Sequence, residues 1–221
     1  TLRQFGGISG FPNPKESPHD HFIVGHGSTA ISQALGLATA RDLLNEDRKV
    51  IAIVGDGSLV GGMAFEALNY LGHVQKGVLI VLNDNEWAIS RTIGAISKYL
   101  NRIITNPLYN KVADELEKLL IKLPKGNFAV RAVRKLKESL KNLLVPGIIF
   151  EELGIKYVGP IDGHDLSQLI FTFRNLRDYT RPVIVHILTK KGKGYPPSER
   201  EPDLFHSAKP FNVSNGSFVK K

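Results

Sequence analysis

The sequence predicts an α/β fold: a parallel sheet with helices on both faces, interrupted by one helical insertion. Three observations predict it. Four short runs rich in β-branched residues recur along the 221 residues. Those runs are continuously apolar, as strands buried on both faces are, rather than alternating. Between them lie apolar residues at helical spacing, so strand and helix follow one another in the order that builds a parallel sheet.

Taken in chain order, Ile31, Ala34, Leu35 and Ala38 form the stripe of a first helix. Val50–Val54 is the first strand, Ala64, Ala67, Leu68 and Leu71 mark the next helix, and Val78–Leu82 is the second strand. From about 93 to 145 no strand pattern occurs, and we read a helical insertion bounded by Asn106-Pro107 and Pro146-Gly147. A short third strand lies near Tyr157-Val158. A helix over Leu166–Leu176 follows Asp165, whose carboxylate suits an N-cap. Val183–Leu188 is the fourth strand. From Lys190 onward the chain is rich in Gly, Pro and Lys, and its last residues, 212–221, read as a linker.

Composition narrows the function classes. Apolar residues at 42% and charged residues at 23% suit a globular domain and exclude disorder, collagen and coiled coil. With no cysteine, disulfide frameworks, thiolate zinc sites and cysteine nucleophiles are excluded. No apolar run reaches the ~18 residues of a membrane span, so no membrane partner and a cytoplasmic location are expected. The net charge of +8 concentrates between positions 100 and 145, where ten Lys/Arg face four Asp/Glu. There Leu116, Leu119 and Leu120, then Val133, Leu136, Leu140 and Leu143, recur at helical spacing, and no aromatics interleave with the charges in a way that would stack bases. That pattern reads as a solvated helix surface, and no nucleic-acid partner is expected. The first residue is Thr1, and an interior piece of a longer polypeptide is expected.

The sharpest motif is Gly55-Asp56-Gly57-Ser58 at the end of the first strand, followed by Gly61-Gly62. In an open α/β sheet, ligands bind in the crevice outside the carboxyl ends of the strands. Glycines there let backbone N–H groups approach a phosphate, but a carboxylate between them would repel it. A divalent cation between carboxylate and phosphate resolves the conflict. A dinucleotide fingerprint fails because its sixth position is Val60, a P-loop fails for want of Gly-Lys-Ser/Thr, and neither Ser28 nor Ser58 has the flanks of a hydrolase elbow. A plain Gly-Asp-Gly turn is the bland alternative. The second strand, however, ends in Asn83-Asp84-Asn85, so Asp56 and the amide oxygen of Asn85, 29 residues apart, could supply the protein's share of a Mg²⁺ site. That spacing is the signature of thiamine diphosphate sites.

These stretches, together with 2–12, Gly25-His26-Gly27-Ser28-Thr29, 61–67, Val145-Pro146-Gly147, 150–154, Gly159-Pro160-Ile161-Asp162-Gly163-His164-Asp165 and 189–195, resemble the 1-deoxy-D-xylulose-5-phosphate synthase family of transketolase-like enzymes. The resemblance runs from Leu2 to about Phe211. It implies a thiamine diphosphate domain over 1–210, including the insertion at about 93–145, then a linker over 211–221 toward a pyrimidine-binding domain that this sequence lacks, as it lacks the family's C-terminal domain. It also implies the activity: pyruvate joined to glyceraldehyde 3-phosphate with loss of CO₂, by a homodimer serving isoprenoid and thiamine synthesis.

The resemblance assigns roles residue by residue. Asp56 and Asn85 hold Mg²⁺, with the Trp87 carbonyl as a third ligand. Gly57 and Ser58 line the diphosphate, and Gly25, His26 and Gly27 contact the cofactor. Most of the family has serine at the position of Gly27, so a hydroxyl contact is expected to be lost there. Tyr195 matches a further cofactor contact, Lys193 could reach the diphosphate, and His206 matches a family histidine. Glu66 stands where transketolase relatives bury a glutamate at the dimer interface. Catalytic roles are thus implied for His26, Glu66 and His206. His164 is expected to lock a turn, and His19 and His21 to lie on the surface. The rival readings are another transketolase-like enzyme or subunit, and a non-catalytic module binding Mg²⁺ or nucleotide.

Overall fold

The computed structural model describes residues 1–85, 94–95, 98–100 and 147–218. The insertion expected at about 93–145, like Trp87, lies almost entirely outside the described residues. Helix α1 (Ala30–Leu43) leads to β1 (Ile51–Gly55), a single turn α2 (Asp56–Leu59), α3 (Gly62–Val74) and β2 (Leu79–Asp84). From Gly147 onward come α4 (Ile148–Glu152), β3 (Lys156–Asp162), α5 (Leu166–Asn175), β4 (Val183–Leu188), α6 (Pro196–Arg200) and α7 (Pro202–His206).

The four strands form one sheet in the order β1-β2-β4-β3, and every pairing is parallel. All their carboxyl ends therefore share one rim. The residues that α1 and α3 were expected to bury are those that are buried: α1 turns Ile31, Ala34, Leu35 and Ala38 inward, and α3 turns Ala64, Ala67, Leu68 and Leu71. These pack with Ala52, Val54, Ile80, Leu82, Tyr157 and Ile184 on one face of the sheet, joined by Phe150 of α4. The opposite face is thinner. There α5 lays Leu169 and Phe173 against Val158, Ile161, Val183 and Val185, and Asp165 caps the helix by accepting from the Gln168 N–H at 3.0 Å.

One expectation changes. A continuously apolar run reads as a strand covered twice, yet among the described residues β1 is an edge strand whose Ile51 and Ile53 are 58% and 71% exposed. Helix α5 sits over β3 and β4, and a cleft of about 400 Å³ separates it from Ile51. The third strand is longer than the dipeptide near which it was expected, because Gly159-Pro160 reads as a breaker but is absorbed as a register shift between Val158 and Ile161. Gly159 has φ +131°, and a Cβ there would meet the His186 carbonyl oxygen at 2.5 Å.

Candidate functional site

The rim at the carboxyl ends of β1 and β2 gathers the motif residues. Gly55 pairs with Asn83, so Asp56 and Asn85 stand one and two residues beyond the last matched position of adjacent strands. Asp56 opens α2 and is only 4% exposed; a carboxylate so deeply withdrawn from water must be matched by polar partners or a cation. Asn85 is half-buried and lines a cleft of about 780 Å³ with Asp84, Thr189, Lys190, Lys191 and Asp203. Asp84 is 3% exposed and meets His186 Nε2 at 3.0 Å.

The loop preceding α1 folds onto this rim. Ser28 adopts φ +69°, an uncommon conformation for a residue with a side chain, and its hydroxyl donates to the Ser58 carbonyl at 2.7 Å. Gly61 is required beside it, since a Cβ there would collide with Ser28 Oγ. A Cβ on Gly27 would lie 3.0 Å from Ser58 Oγ, so a hydroxyl does border the position where one was expected to be lost, supplied from the neighbouring turn. Gly25, His26 and Gly27 are exposed. His26, Gly27 and Ser58 line a groove of about 500 Å³ that also runs along β1. The structure thus brings together Gly25, His26, Gly27, Gly57 and Ser58 beside Asp56. In the sequence Ser28 belongs to a family stretch and fails as a hydrolase nucleophile, with no role assigned to it; a serine between glycines and a helix start is the signal that could have singled it out.

The remaining candidates lie elsewhere. Glu66 is on the outward face of α3, exposed in the same stripe as Met63 and Tyr70. Tyr195 turns toward the C-terminal residues: its hydroxyl donates to the Val213 carbonyl at 2.9 Å, and its ring packs on Phe205 and Phe211. Phe211 and Phe218 form an antiparallel bridge beside them. Lys193 is exposed. Lys190 is paired with Glu199, which holds that carboxyl below the usual carboxylate range, chiefly through their hydrogen bond. His206 Nδ1 lies 2.6 Å from Lys191 Nζ. His164 does lock a turn: its Nε2 accepts from the Lys190 N–H at 2.8 Å, tying the end of β3 to the end of β4. His19 and His21 are exposed, as expected.

With the rim described, comparison with known proteins adds the decisive observation. A family model described as 1-deoxy-D-xylulose-5-phosphate synthase matches residues 1–189. The chain belongs to that family. Two synthases of this name, from Pelotomaculum thermopropionicum and Carboxydothermus hydrogenoformans, are each 53% identical over 221 residues, covering 100% of this chain. The chain spans about a third of their length, 35% and 36%. Among solved structures, a transketolase from Campylobacter jejuni aligns with TM-score 0.49 and 18% identity over 79% of this chain and 21% of its own. In this member of the synthase family the rim carries the buried carboxylates of Asp56 and Asp84 and the half-buried amide of Asn85, groups that offer hard oxygen donors. Among the described residues no cluster of three His, Cys, Asp or Glu could cage a metal. That combination fits Mg²⁺, which takes one or two protein ligands and completes its shell with phosphate oxygens and water.

Proposed function

We propose that this chain is the diphosphate-binding domain of a thiamine diphosphate-dependent synthase that joins pyruvate to glyceraldehyde 3-phosphate with loss of CO₂, and that it works as a homodimer in the cytoplasm. The domain spans 1–210, and 211–221 leads toward a pyrimidine-binding domain. Family membership supports the reaction class. The observation that carries the site is Asp56, buried at the carboxyl end of β1 and set by register beside the Asn83-Asp84-Asn85 end of β2. Asp56 and Asn85 would hold Mg²⁺, with the Trp87 carbonyl as a further ligand. When bound, thiamine diphosphate supplies the electron sink for decarboxylation.

The chain's own residues contribute anchoring and orientation. Asp56 brings the negative charge that retains the cation against an anionic ligand. Gly57 and Ser58 offer backbone N–H groups on a turn buttressed by the Ser28 hydroxyl, so the turn does not have to reorganise when the anion arrives. Gly25, His26 and Gly27 flank the groove above that turn, whereas Lys193, Tyr195 and His206 stand away from it on the C-terminal arm and would act only if that arm folds over the diphosphate. The exposed stripe of Met63, Glu66 and Tyr70 on α3 offers a face for the second copy.

The test is calorimetric titration of thiamine diphosphate with and without Mg²⁺ into wild type and Asp56→Ala. Wild type should bind tightly only with Mg²⁺, and the variant should lose several kcal/mol of binding through lost ligation and metal–phosphate attraction. Equal affinity of the two proteins at saturating Mg²⁺ overturns the assignment.

A further inference from the structure

Three polar side chains from three strands meet on the crowded face of the sheet. Tyr157 of β3, His186 of β4 and Asp84 of β2 are 8%, 0% and 3% exposed. The Tyr157 hydroxyl lies 2.7 Å from His186 Nδ1, and His186 Nε2 lies 3.0 Å from Asp84 Oδ2. An ionised Asp84 can only accept, so Nε2–H donates to it; with a neutral imidazole Nδ1 is then the acceptor, and the Tyr157 O–H donates to it. The chain of donors runs in one direction across the sheet, from β3 to β2, and ends one residue before Asn85. Apolar side chains of the same volume would fill this space without the cost of burying a carboxylate, an imidazole and a phenol. What the polar trio supplies instead is direction, because hydrogen bonds fix angles that van der Waals packing leaves free.

Other features converge on the same strand end. On the opposite face the Thr189 hydroxyl bonds Asn83 Oδ1 at 2.6 Å, and the Thr189 N–H donates to the Asp84 carbonyl at 2.8 Å. The tip of β2 is therefore held by β4 from both sides. Gly159, where the register of β3 shifts, leaves the room His186 needs: a Cβ there would stand 3.1 Å from His186 Cβ.

Resting on the reading of Asp56 and Asn85 as cation ligands, we propose that Tyr157 and His186 are positioning residues that set divalent-cation affinity by holding Asp84, and through it the backbone of Asn85, at the tip of β2. Neither touches the cation; they act through the strand end that presents its amide ligand. Metal-site residues at one remove from the ligands commonly control affinity in this way.

The experiment uses Mn²⁺ as the probe for the cation, read by electron paramagnetic resonance in the presence of thiamine diphosphate in the full chain, alongside thermal melting without metal. Tyr157→Phe, which removes one hydroxyl, should weaken Mn²⁺ binding roughly three- to tenfold, the range one buried hydrogen bond supplies. His186→Leu should weaken it more, and His186→Gln, which keeps an acceptor and a donor, should recover part of the loss. Ile184→Val, on the same strand and face, is the control for a merely structural effect: it should lower the melting temperature and leave Mn²⁺ affinity unchanged. Should His186→Leu fail to fold, Tyr157→Phe still decides. Wild-type Mn²⁺ affinity in Tyr157→Phe and His186→Gln overturns the proposal, as does an equal loss in Ile184→Val. Asp56→Ala separates the two readings: if it binds Mn²⁺ as wild type does, the cation site itself is misplaced; if it abolishes binding while the Tyr157 and His186 variants do not alter it, the positioning role alone fails.

Discussion

The two faces of the sheet are covered to different depths. On one, α1, α3 and α4 bury a continuous layer that reaches from β1 to β3, including Leu59, Leu68, Leu71, Ile80, Leu82 and Ile184 at 0% exposure. On the other, α5 contributes no fully buried residue, and Ile170 and Phe171 remain 49% and 68% exposed. The strands feeding both faces look alike as sequence: Ile51-Ala52-Ile53-Val54 and Val183-Ile184-Val185-His186 are both β-branched runs. The second is central and buried on both sides, whereas the first is an edge with its isoleucines open on the thin face. The lesson is that a run's composition reports that a strand exists, while its neighbours decide how much each side chain contributes. The polar trio sits on the deep face, where water cannot compete for its hydrogen bonds.

The comparison can be tested by substitution. The largest effect should come from the deep face: Leu68→Ala should cost about 2–5 kcal/mol in urea unfolding, the sum of lost transfer energy and the cavity left behind. A value below ~1 kcal/mol would mean that this layer is no better packed than the other. On the thin face α5 depends on its cap more than on burial, so Asp165→Ala should cost about 1 kcal/mol and selectively raise amide exchange in the first turn after Leu166. Smaller still, Ile53→Ala should change stability by no more than ~0.5 kcal/mol in this chain. A cost matching that of Leu68→Ala in a longer polypeptide would show that the outer face of β1 is covered there.

The smallest effect is electrostatic. Asp42, at the end of α1, bonds Lys76 at 2.9 Å and Arg41 at 2.6 Å, and these partners, Lys76 foremost, hold its carboxyl below the ordinary range. A lowered folded-state value means stability fully present above the unfolded value and lost as pH falls through the folded one. Asp42→Asn should therefore flatten the acid limb of the stability curve below about pH 4, where an unperturbed aspartate titrates, and leave neutral pH nearly unchanged. Carboxyl-carbon NMR that places Asp42 at or above the ordinary value would contradict the ion pair.

Much of the fold was legible before any coordinates. Strand β4 spans the predicted residues, the stripes of α1 and α3 are the buried ones, and Asp165 caps α5, because period and capping are local properties carried by a few neighbouring residues. The short helices α2, α4, α6 and α7 were not read: with five residues or fewer, each is too brief to show a period, and α6 and α7 lie in a Pro-rich stretch that reads as loop. In the candidate site, the placement of Asp56 and Asn85 just past two strand ends was legible, because a continuous apolar run that stops at a polar residue marks its own end. Ser28 was not, since its role is a hydrogen bond to a residue 30 positions away. His186 gave the one unused signal: a histidine inside an apolar run must find partners if the run is buried.

What the sequence determined by itself is therefore the inventory: four strands, three longer helices, a glycine-flanked aspartate and an asparagine at two strand ends, and the family to which the chain belongs. Only the tertiary structure decided the order β1-β2-β4-β3, which makes β1 an edge, sets Asp56 beside the tip of β2, and threads Tyr157, His186 and Asp84 into one chain of hydrogen bonds across 102 residues of sequence between the last two. The physical reason is the range of the interactions. Periodicity and caps act within a few residues, whereas strand order and buried polar contacts depend on which distant segments the hydrophobic effect, which has no direction of its own, brings together.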